Sequence, residues 1–501
     1  MPHQMLVGII YITSLMARVG VFTSLLDTEK WADKEEMVYS MVKHWNVSSS
    51  VVPYLKEYIE DYESSTAAAR GKYKVFDHLL LTYRMFYRWQ HYMPTVLKEI
   101  TNHDKLTFPD EFEISTTATT TVSASILTLQ FFYNLPTKEL IDGTFRSVTT
   151  GIGLTNQQPL QLAKEGLEME YYVQVWDWVN VLLARGRGNN DTVLIKQAED
   201  LERHLIAKHD EIYIRDRQLG FRKYVFVDAL SNYTGVPEPL FQFQMDEFLD
   251  IWEGSKLPAE RNFKHIAICS DSDAVKVNPP PLSNLRCWTD HGGHPFYVLA
   301  PRKVEKLWDS PDVYQFYDVL NLQWIEKVKI LAAPVPEIGE SAMDFTSIRE
   351  EEFPPIGHTG LTNKLESMLG IHLGGYYRVS VYHQAGEGKV HHDSFRVPNQ
   401  INEVKMFTKR LASIIIYISD PELGGETVFP EIPLKVKAVS GSLIYWRNYL
   451  TEDRLSWDVW HAPCPTILGN RWFIAYFVDM ERNLPLKAAY TTSNVANICT
   501  D

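Results

Sequence analysis

From Trp31 to about Asn102 apolar residues recur at three- and four-residue spacing: Val38, Met41, Val42 and Trp45, then Val52 to Tyr62, then Tyr73 to Ile100. This period predicts amphipathic helices. The last stripe, with Phe76, Leu79, Leu80, Tyr83, Phe86 and Trp89, suits packing within its own domain or pairing with a second chain, because no heptad is sustained to choose between them. A polar stretch from His103 through the Thr-rich run Ser115 to Thr121 reads as a linker. Beyond it, Leu160 to Ala184 predicts a helical hairpin, and further helices are expected over Thr192 to His209 and Pro239 to Trp252. Paired helices rich in Tyr and Trp predict a small helical-repeat domain that can hold an extended peptide.

A second break, Ser270 to Ser283, contains Pro279, Pro280 and Pro281, and after it the period changes. Short apolar runs bounded by Gly and Pro predict strands over Tyr376 to Tyr382, Leu411 to Ser419, Thr427 to Phe429, Ser442 to Trp446 and Arg471 to Val478. The run Ile414, Ile415, Ile416, Tyr417 is too apolar for a strand with one wet face, so two packed sheets or a distorted barrel are expected. The chain thus reads as multidomain α + β: a leader (1–20), helical regions 21–115 and 116–255, a linker (256–284), an all-β domain (285–482) and a tail (483–501).

Size and charge agree with a folded multidomain protein, since 501 residues and 57.8 kDa exceed one ordinary core. A formal net charge of -14 gives no sign of the basic face that nucleic-acid binding wants, and that class is set aside. Leu6 to Met16 has the length of a signal-peptide core and is too short to span a bilayer, although no Lys or Arg precedes it. Entry into the secretory pathway would make Asn46, Asn190 and Asn232, each in an Asn-x-Ser/Thr sequon, glycosylation sites. The four cysteines, Cys269, Cys287, Cys464 and Cys499, include no Cys-x-x-Cys pair, which argues against structural zinc. In an oxidising compartment, proximity along the chain favours bridges Cys269 to Cys287 and Cys464 to Cys499.

The candidate chemistry lies in the all-β region. If the stretch around His391, His392 and Asp393 is extended, His391 and Asp393 share a face and His392 takes the other. A second imidazole from a neighbouring strand, His461, would complete two histidines and a carboxylate with open positions opposite, the ligand set of non-haem Fe(II) oxygenases. Arg471 stands ten positions after His461 and can anchor the far carboxylate of an oxo-acid bidentately. A zinc hydrolase is disfavoured, because no helix carries His-Glu-x-x-His.

With Gly424 to Pro430 (GGETVFP) between the two histidines, and His461 to Arg471 (HAPCPTILGNR) after it, the chain resembles collagen prolyl 4-hydroxylase α subunits. The likeness extends to Cys287 to Asp290, Phe296 to Pro301, Leu411 to Asp420 and a mature start near Phe22. It implies a double-stranded β-helix (jelly-roll) catalytic domain after an N-terminal helical dimerisation region and a tetratricopeptide-like peptide-binding domain. It further implies proline 4-hydroxylation of X-Pro-Gly in procollagen-like chains, coupled to oxidative decarboxylation of 2-oxoglutarate to succinate and CO2, with Fe(II), O2 and L-ascorbate. By position, His391, Asp393 and His461 would hold iron, Tyr382 and Arg471 the 2-oxoglutarate, and Arg410 the peptide substrate at the catalytic centre. Tyr171 and Tyr172 would line the peptide groove, and the family's two bridges would match the cysteine pairs that proximity favours. A tetramer with protein disulfide isomerase as β subunit, in the endoplasmic reticulum lumen, follows from the same likeness. Gly388, Phe477 and Asp479 stand where the family has tyrosine, tryptophan and histidine, and Arg471 where it has lysine. These departures keep a second reading open, a catalytically weakened subunit that binds peptide or partner.

Overall fold

The computed structural model describes residues 25–43, 52–69, 71–104, 116–155, 157–218, 256–271, 287–291, 295–332, 337–338, 343–349, 360–373, 376–386, 388, 390–394, 409–451, 454–480 and 482–483. The expected leader, most of the expected tail, Asn46, Asn232, Cys499 and the Pro239 to Trp252 helix lie outside them. The chain forms two compact units, Met1–Glu260 and Arg261–Asp501. Among the described residues no helix is long and apolar enough to cross a membrane.

The first unit is helical: α1 (Leu25–Val42), α2 (Val52–Ala69), α3 (Leu79–His91), α4 (Met93–Asp104), α5 (Thr116–Tyr133), α6 (Gln158–Glu168), α7 (Tyr172–Gly188) and α8 (Thr192–Gln218). The single long helix expected from Tyr73 to Ile100 is split into α3 and α4, and Pro94 at the start of α4 accounts for the break, since it has no N–H to donate and crowds the preceding turn. The Thr-rich run expected as a linker is instead the beginning of α5, where Thr121, Ser123 and Ser125 are buried and Ser125 Oγ returns a hydrogen bond to the Thr121 carbonyl. The apolar stripe on α3 is already covered: Leu79, Leu80, Tyr83, Phe86 and Trp89 are buried, with Trp89 edge-on to Trp31 of α1 at 4.8 Å. That side of α3 therefore offers no apolar surface to a second chain.

A buried ion cluster ties the first three helices together. Arg88 donates through Nε and Nη2 to the two Glu35 oxygens (2.8 Å each) and through Nη1 to Asp61 Oδ2 (2.7 Å), while Arg84 Nη2 donates to Asp61 Oδ1 (2.7 Å). Further along, the expected hairpin is α6 and α7, and α8 begins where Asp191 Oδ1 accepts the N–H groups of Val193 and Leu194.

The second unit carries an antiparallel sheet. Its strands are β1 (Cys287–Asp290), β2 (Arg302–Trp308), β3 (Val313–Tyr317), β4 (Glu337–Ile338), β5 (Met343–Arg349), β6 (Tyr376–Tyr382) and β7 (Arg410–Tyr417), followed by β8 (Thr427–Phe429), β9 (Leu434–Val436), β10 (Leu443–Arg447), β11 (Ala462–Pro463) and β12 (Arg471–Asp479). Among the described residues nine of them form one sheet in the order β1-β2-β3-β10-β7-β12-β6-β5-β4, and β9-β8-β11 form a smaller one. The central strand β7 feeds two cores, as its apolar run requires. Ile414 and Ile416 pack with Trp324, Val328, Leu361 and Leu365 from α9 (Leu322–Ala332) and α10 (Leu361–Leu369). Ile415 and Tyr417 face the other way, onto Phe429, Val436, Trp446 and Phe473, where the smaller sheet lies.

The expected bridges are corrected here. Cys269 is bonded to Cys464, 195 positions away, and Cys287 is an exposed free thiol in β1. The cause is a helix, Lys256–Cys269, over part of the stretch expected as a linker: it sets His265 against the Pro463 carbonyl (3.0 Å) and brings Lys435 onto the Cys269 carbonyl (3.1 Å). Nearness in space here runs against nearness along the chain.

Replacing Arg88 with Met would leave the Glu35 and Asp61 carboxylates buried and under-paired. We expect this unit to lose about 3–5 kcal/mol of stability in denaturant unfolding; a loss below about 1 kcal/mol would mean that the cluster behaves as a surface pair.

Candidate metal and anion site

Two backbone hydrogen bonds build the centre of the site. His391 and His461 form an isolated antiparallel bridge in which each N–H donates to the other's carbonyl, at 3.0 and 2.9 Å, so their rings lie side by side with centroids 4.4 Å apart. Asp393 follows two residues on. Its Oδ1 is 3.7 Å from His391 Nε2 and its Oδ2 3.6 Å from His461 Nε2, and one ligand atom from each of the three lies within 4.8 Å of the others. His392 points away, with Nε2 2.8 Å from the Ser456 carbonyl and its ring against Trp460, as extended alternation requires. The Asp393 and His461 side chains are buried and that of His391 is 49% exposed, so the group opens towards solvent on the His391 side.

The protonation states suit metal ligation. His461 Nδ1 lies 3.0 Å from the Val459 carbonyl, which assigns the ring proton to Nδ1 and leaves the Nε2 lone pair facing Asp393. Burial, reinforced by His391, pushes the His461 pKa down to about 3, so the ring is neutral. Burial opposes charge on Asp393, yet the Ser413 hydroxyl and the Arg410 guanidinium help to hold its pKa below the usual carboxylate value. A neutral imidazole beside an ionised carboxylate can bind a divalent metal without first losing a proton.

An anion site adjoins this one. Arg471 begins β12 directly opposite Tyr382 of β6, and its guanidinium is buried among the rings of Tyr382, Tyr417 and Phe473. Its Nη2 donates to Thr427 Oγ1 (2.8 Å), which also shares a 2.6 Å hydrogen bond with the Tyr417 hydroxyl. Nε is buried and meets no acceptor, and among the described residues no carboxylate pairs with the guanidinium. A buried cation without a counter-ion is costly, and a ligand carboxylate would resolve that cost. The two sites are contiguous through the smaller sheet, where Thr427 pairs with Pro463 and Val428 with Ala462, the residue after His461.

Other expected site residues are placed differently. The Arg410 guanidinium lies 3.6 Å from the centroid of Phe477 and donates through Nη1 to the Asp393 carbonyl (3.3 Å), so it braces the metal-ligand segment. Tyr172 is 2% exposed with its ring edge-on to His209, which corrects its expected place in a peptide groove: the ring is core. Tyr171 is partly exposed, its hydroxyl 3.3 Å from Thr128 Oγ1. Asn190 is exposed in the turn between α7 and α8. Gly388 is buried where the chain crosses the site: a Cβ there would lie 2.8 Å from Pro463 Cδ and 2.9 Å from the Tyr382 hydroxyl. The second group with metal-ligand chemistry, His265, Cys269 and Cys464, holds its two sulfurs in the disulfide. Sequence reasoning missed Thr427, Tyr417, Ser413 and Asn448. Thr427 lies within the GGETVFP segment and was within reach; the others come together only through strand pairing.

No family model matches the chain. It is 24% identical over 503 residues to prolyl 4-hydroxylase subunit alpha-1 of Gallus gallus, covering 92% of this chain and 95% of that one. It is 23% identical over 519 residues to the Homo sapiens alpha-1 subunit (94% and 95% covered) and 23% identical over 516 residues to the alpha-2 subunit of Caenorhabditis elegans (91% of each). Among solved structures, a viral collagen prolyl hydroxylase from Paramecium bursaria Chlorella virus-1, in a 2-oxoglutarate complex, aligns with 33% of this chain and 94% of its own at 19% identity and TM-score 0.27. An oxidoreductase of the 2OG-Fe(II) oxygenase family from Burkholderia pseudomallei aligns with 34% of this chain and 85% of its own at 13% identity and TM-score 0.25. Along nearly its whole length the chain is similar to prolyl 4-hydroxylase alpha subunits, from which it has diverged widely.

The wild-type chain is expected to bind one divalent transition metal, and Asp393→Ala to weaken that binding on the order of 100-fold, read by calorimetric titration with Co(II) or Mn(II). Equal affinity in the two proteins would place the metal elsewhere.

Proposed function

We propose that this divergent relative of the prolyl 4-hydroxylase alpha subunits is itself a prolyl 4-hydroxylase, acting on X-Pro-Gly sequences of collagen-like chains and coupling that oxidation to decarboxylation of 2-oxoglutarate to succinate and CO2. The observation that carries the reading is the pairing of two sites: the His391, Asp393 and His461 group, and the buried, uncompensated Arg471 guanidinium on the strand beside it. A chain that only bound peptide would have no physical need for either.

The residues present fit the cofactor and cosubstrate. His391, Asp393 and His461 would hold Fe(II), which together with 2-oxoglutarate and O2 supplies the oxidising chemistry. Arg471 would take the distal carboxylate of 2-oxoglutarate on its free Nε and its Nη groups, with Thr427 fixing the fork and Tyr382 adding a hydroxyl donor. Phe473, stacked on Tyr382 with ring centroids 5.7 Å apart, keeps that pocket apolar, which strengthens the ion pair. The exposed His391 side is where a peptide would approach, and Gly388 closes the backbone over Tyr382 in the space where relatives would carry a side chain.

The same reading takes L-ascorbate as reductant, protein disulfide isomerase as β subunit and the endoplasmic reticulum lumen as compartment. It gives the helical first unit the roles of self-association and of holding proline-rich peptide, with a tetratricopeptide-like arrangement and Tyr171 as a contact.

Turnover of 2-oxoglutarate should be stimulated by a (Pro-Pro-Gly)-type peptide in the wild type and absent in His391→Ala. Peptide that binds without stimulating turnover in the wild type would leave a binding subunit and no enzyme. Arg471→Ala should raise the 2-oxoglutarate KM on the order of 100-fold while moving the iron requirement little; equal shifts in both would remove the role given to Arg471.

A further inference from the structure

Asp393 is held from behind by a chain of side chains, Ser413, Asn448 and Trp446. Ser413 Oγ donates to Asp393 Oδ2 at 2.6 Å. Asn448 Nδ2 donates to Ser413 Oγ (2.9 Å) and to the Arg410 carbonyl (3.2 Å), and Asn448 Oδ1 accepts from Trp446 Nε1 (3.1 Å). The backbone of Asn448 is paired as well, its N–H to the Leu411 carbonyl and its carbonyl to the Ser456 N–H, both at 2.9 Å. Asn448 is fully buried and Ser413 1% exposed. The Trp446 indole that ends the chain lies edge-on to the His461 ring, with centroids 4.7 Å apart. One buried amide therefore connects a donor on the carboxylate with the ring that packs on the second imidazole.

The direction of each hydrogen bond is determined. Trp446 can only donate, so Asn448 Oδ1 accepts and Nδ2 donates. Ser413 Oγ, receiving that N–H, turns its own hydrogen to the carboxylate, which when ionised only accepts. Oδ2, 3.6 Å from His461 Nε2, is thereby held by a short charge-assisted bond, and Oδ1 lies 3.7 Å from His391 Nε2.

We infer that Ser413 and Asn448 are positioning residues that fix the orientation of the Asp393 carboxylate between the two imidazoles, so that it would meet a bound metal in a single arrangement. This rests on the metal-site reading above. Removing the Ser413 hydroxyl would release Oδ2 and leave the carboxylate free to turn, which would change how it meets the metal. Outer partners of this kind are generally worth 10- to 100-fold in metal affinity or activity.

The test uses full-length wild type, Ser413→Ala, Ser413→Thr and Asp393→Ala, loaded with Co(II), with affinity read by calorimetry and ligand geometry by the visible absorption of the bound ion. Ser413→Ala should bind Co(II) with about 10-fold or more altered affinity and a changed spectrum. Ser413→Thr, which keeps the hydroxyl, should restore both towards the wild type. Trp446→Phe, which keeps an aromatic ring beside His461 but loses the indole N–H, should move the spectrum in the same direction by a smaller amount. If Ser413→Ala matches the wild type in affinity and spectrum, the positioning role is overturned while the metal site stands. If Asp393→Ala binds Co(II) as the wild type does, the metal reading and this inference fall together.

Discussion

The site depends on a backbone contact rather than on any side chain. His391 and His461 lie 70 residues apart, and the reciprocal hydrogen bonds that join them hold their imidazoles on one side at a spacing suited to a shared ligand. Everything else supports that bridge. The Lys256–Cys269 helix backs the strand after His461 with His265 on the Pro463 carbonyl and with the Cys269 to Cys464 bond. The smaller sheet, the Trp446 ring and the Ser413 and Asn448 pair hold the remaining sides. Little freedom remains for the buried His461 imidazole to turn away.

The electrostatics follow from the same enclosure. Burial makes His461 neutral, and the donors around Asp393 keep it ionised, so the group is ready to bind a cation. Nearby, the buried Arg471 guanidinium has around it, among the described residues, the Thr427 hydroxyl and the rings of Tyr382, Tyr417 and Phe473. An apolar pocket holding an uncompensated cation, next to a group that accepts one, favours a ligand that bears a carboxylate at one end and metal-binding oxygens at the other. This pairing, more than the ligands alone, separates an oxo-acid oxygenase from other uses of two histidines and a carboxylate.

Much of this was legible in the sequence because local patterns dictated it. The strands over Tyr376–Tyr382, Thr427–Phe429 and Arg471–Asp479 coincide with their apolar runs, and period-two alternation separated His391 from His392. Long-range events were not legible. The Cys269 to Cys464 bond depends on where a helix docks, and the bracing of Asp393 by Arg410, Ser413 and Asn448 depends on the register of β7 against β10. In the helical unit the period found several helices but not their limits, since Pro94 divided one, and it missed α5, which begins in a Thr run read as a linker. The burial of Tyr172 shows the same gap, since an aromatic at a plausible groove position is core or surface according to a neighbour, here His209, that period alone does not reveal.

The most direct test of the central claim, that the metal group and Arg471 together bind one oxo-acid, is an anaerobic titration of the chain with Fe(II) and 2-oxoglutarate followed by visible absorption. A chelated 2-oxo acid on Fe(II) gives a charge-transfer band that neither component gives alone. The account predicts that the band appears in the wild type only when both are present, and that at subsaturating 2-oxoglutarate it is lost in Arg471→Ala, although the iron still binds. A wild-type protein that binds Fe(II) yet shows no band at any 2-oxoglutarate concentration would contradict it.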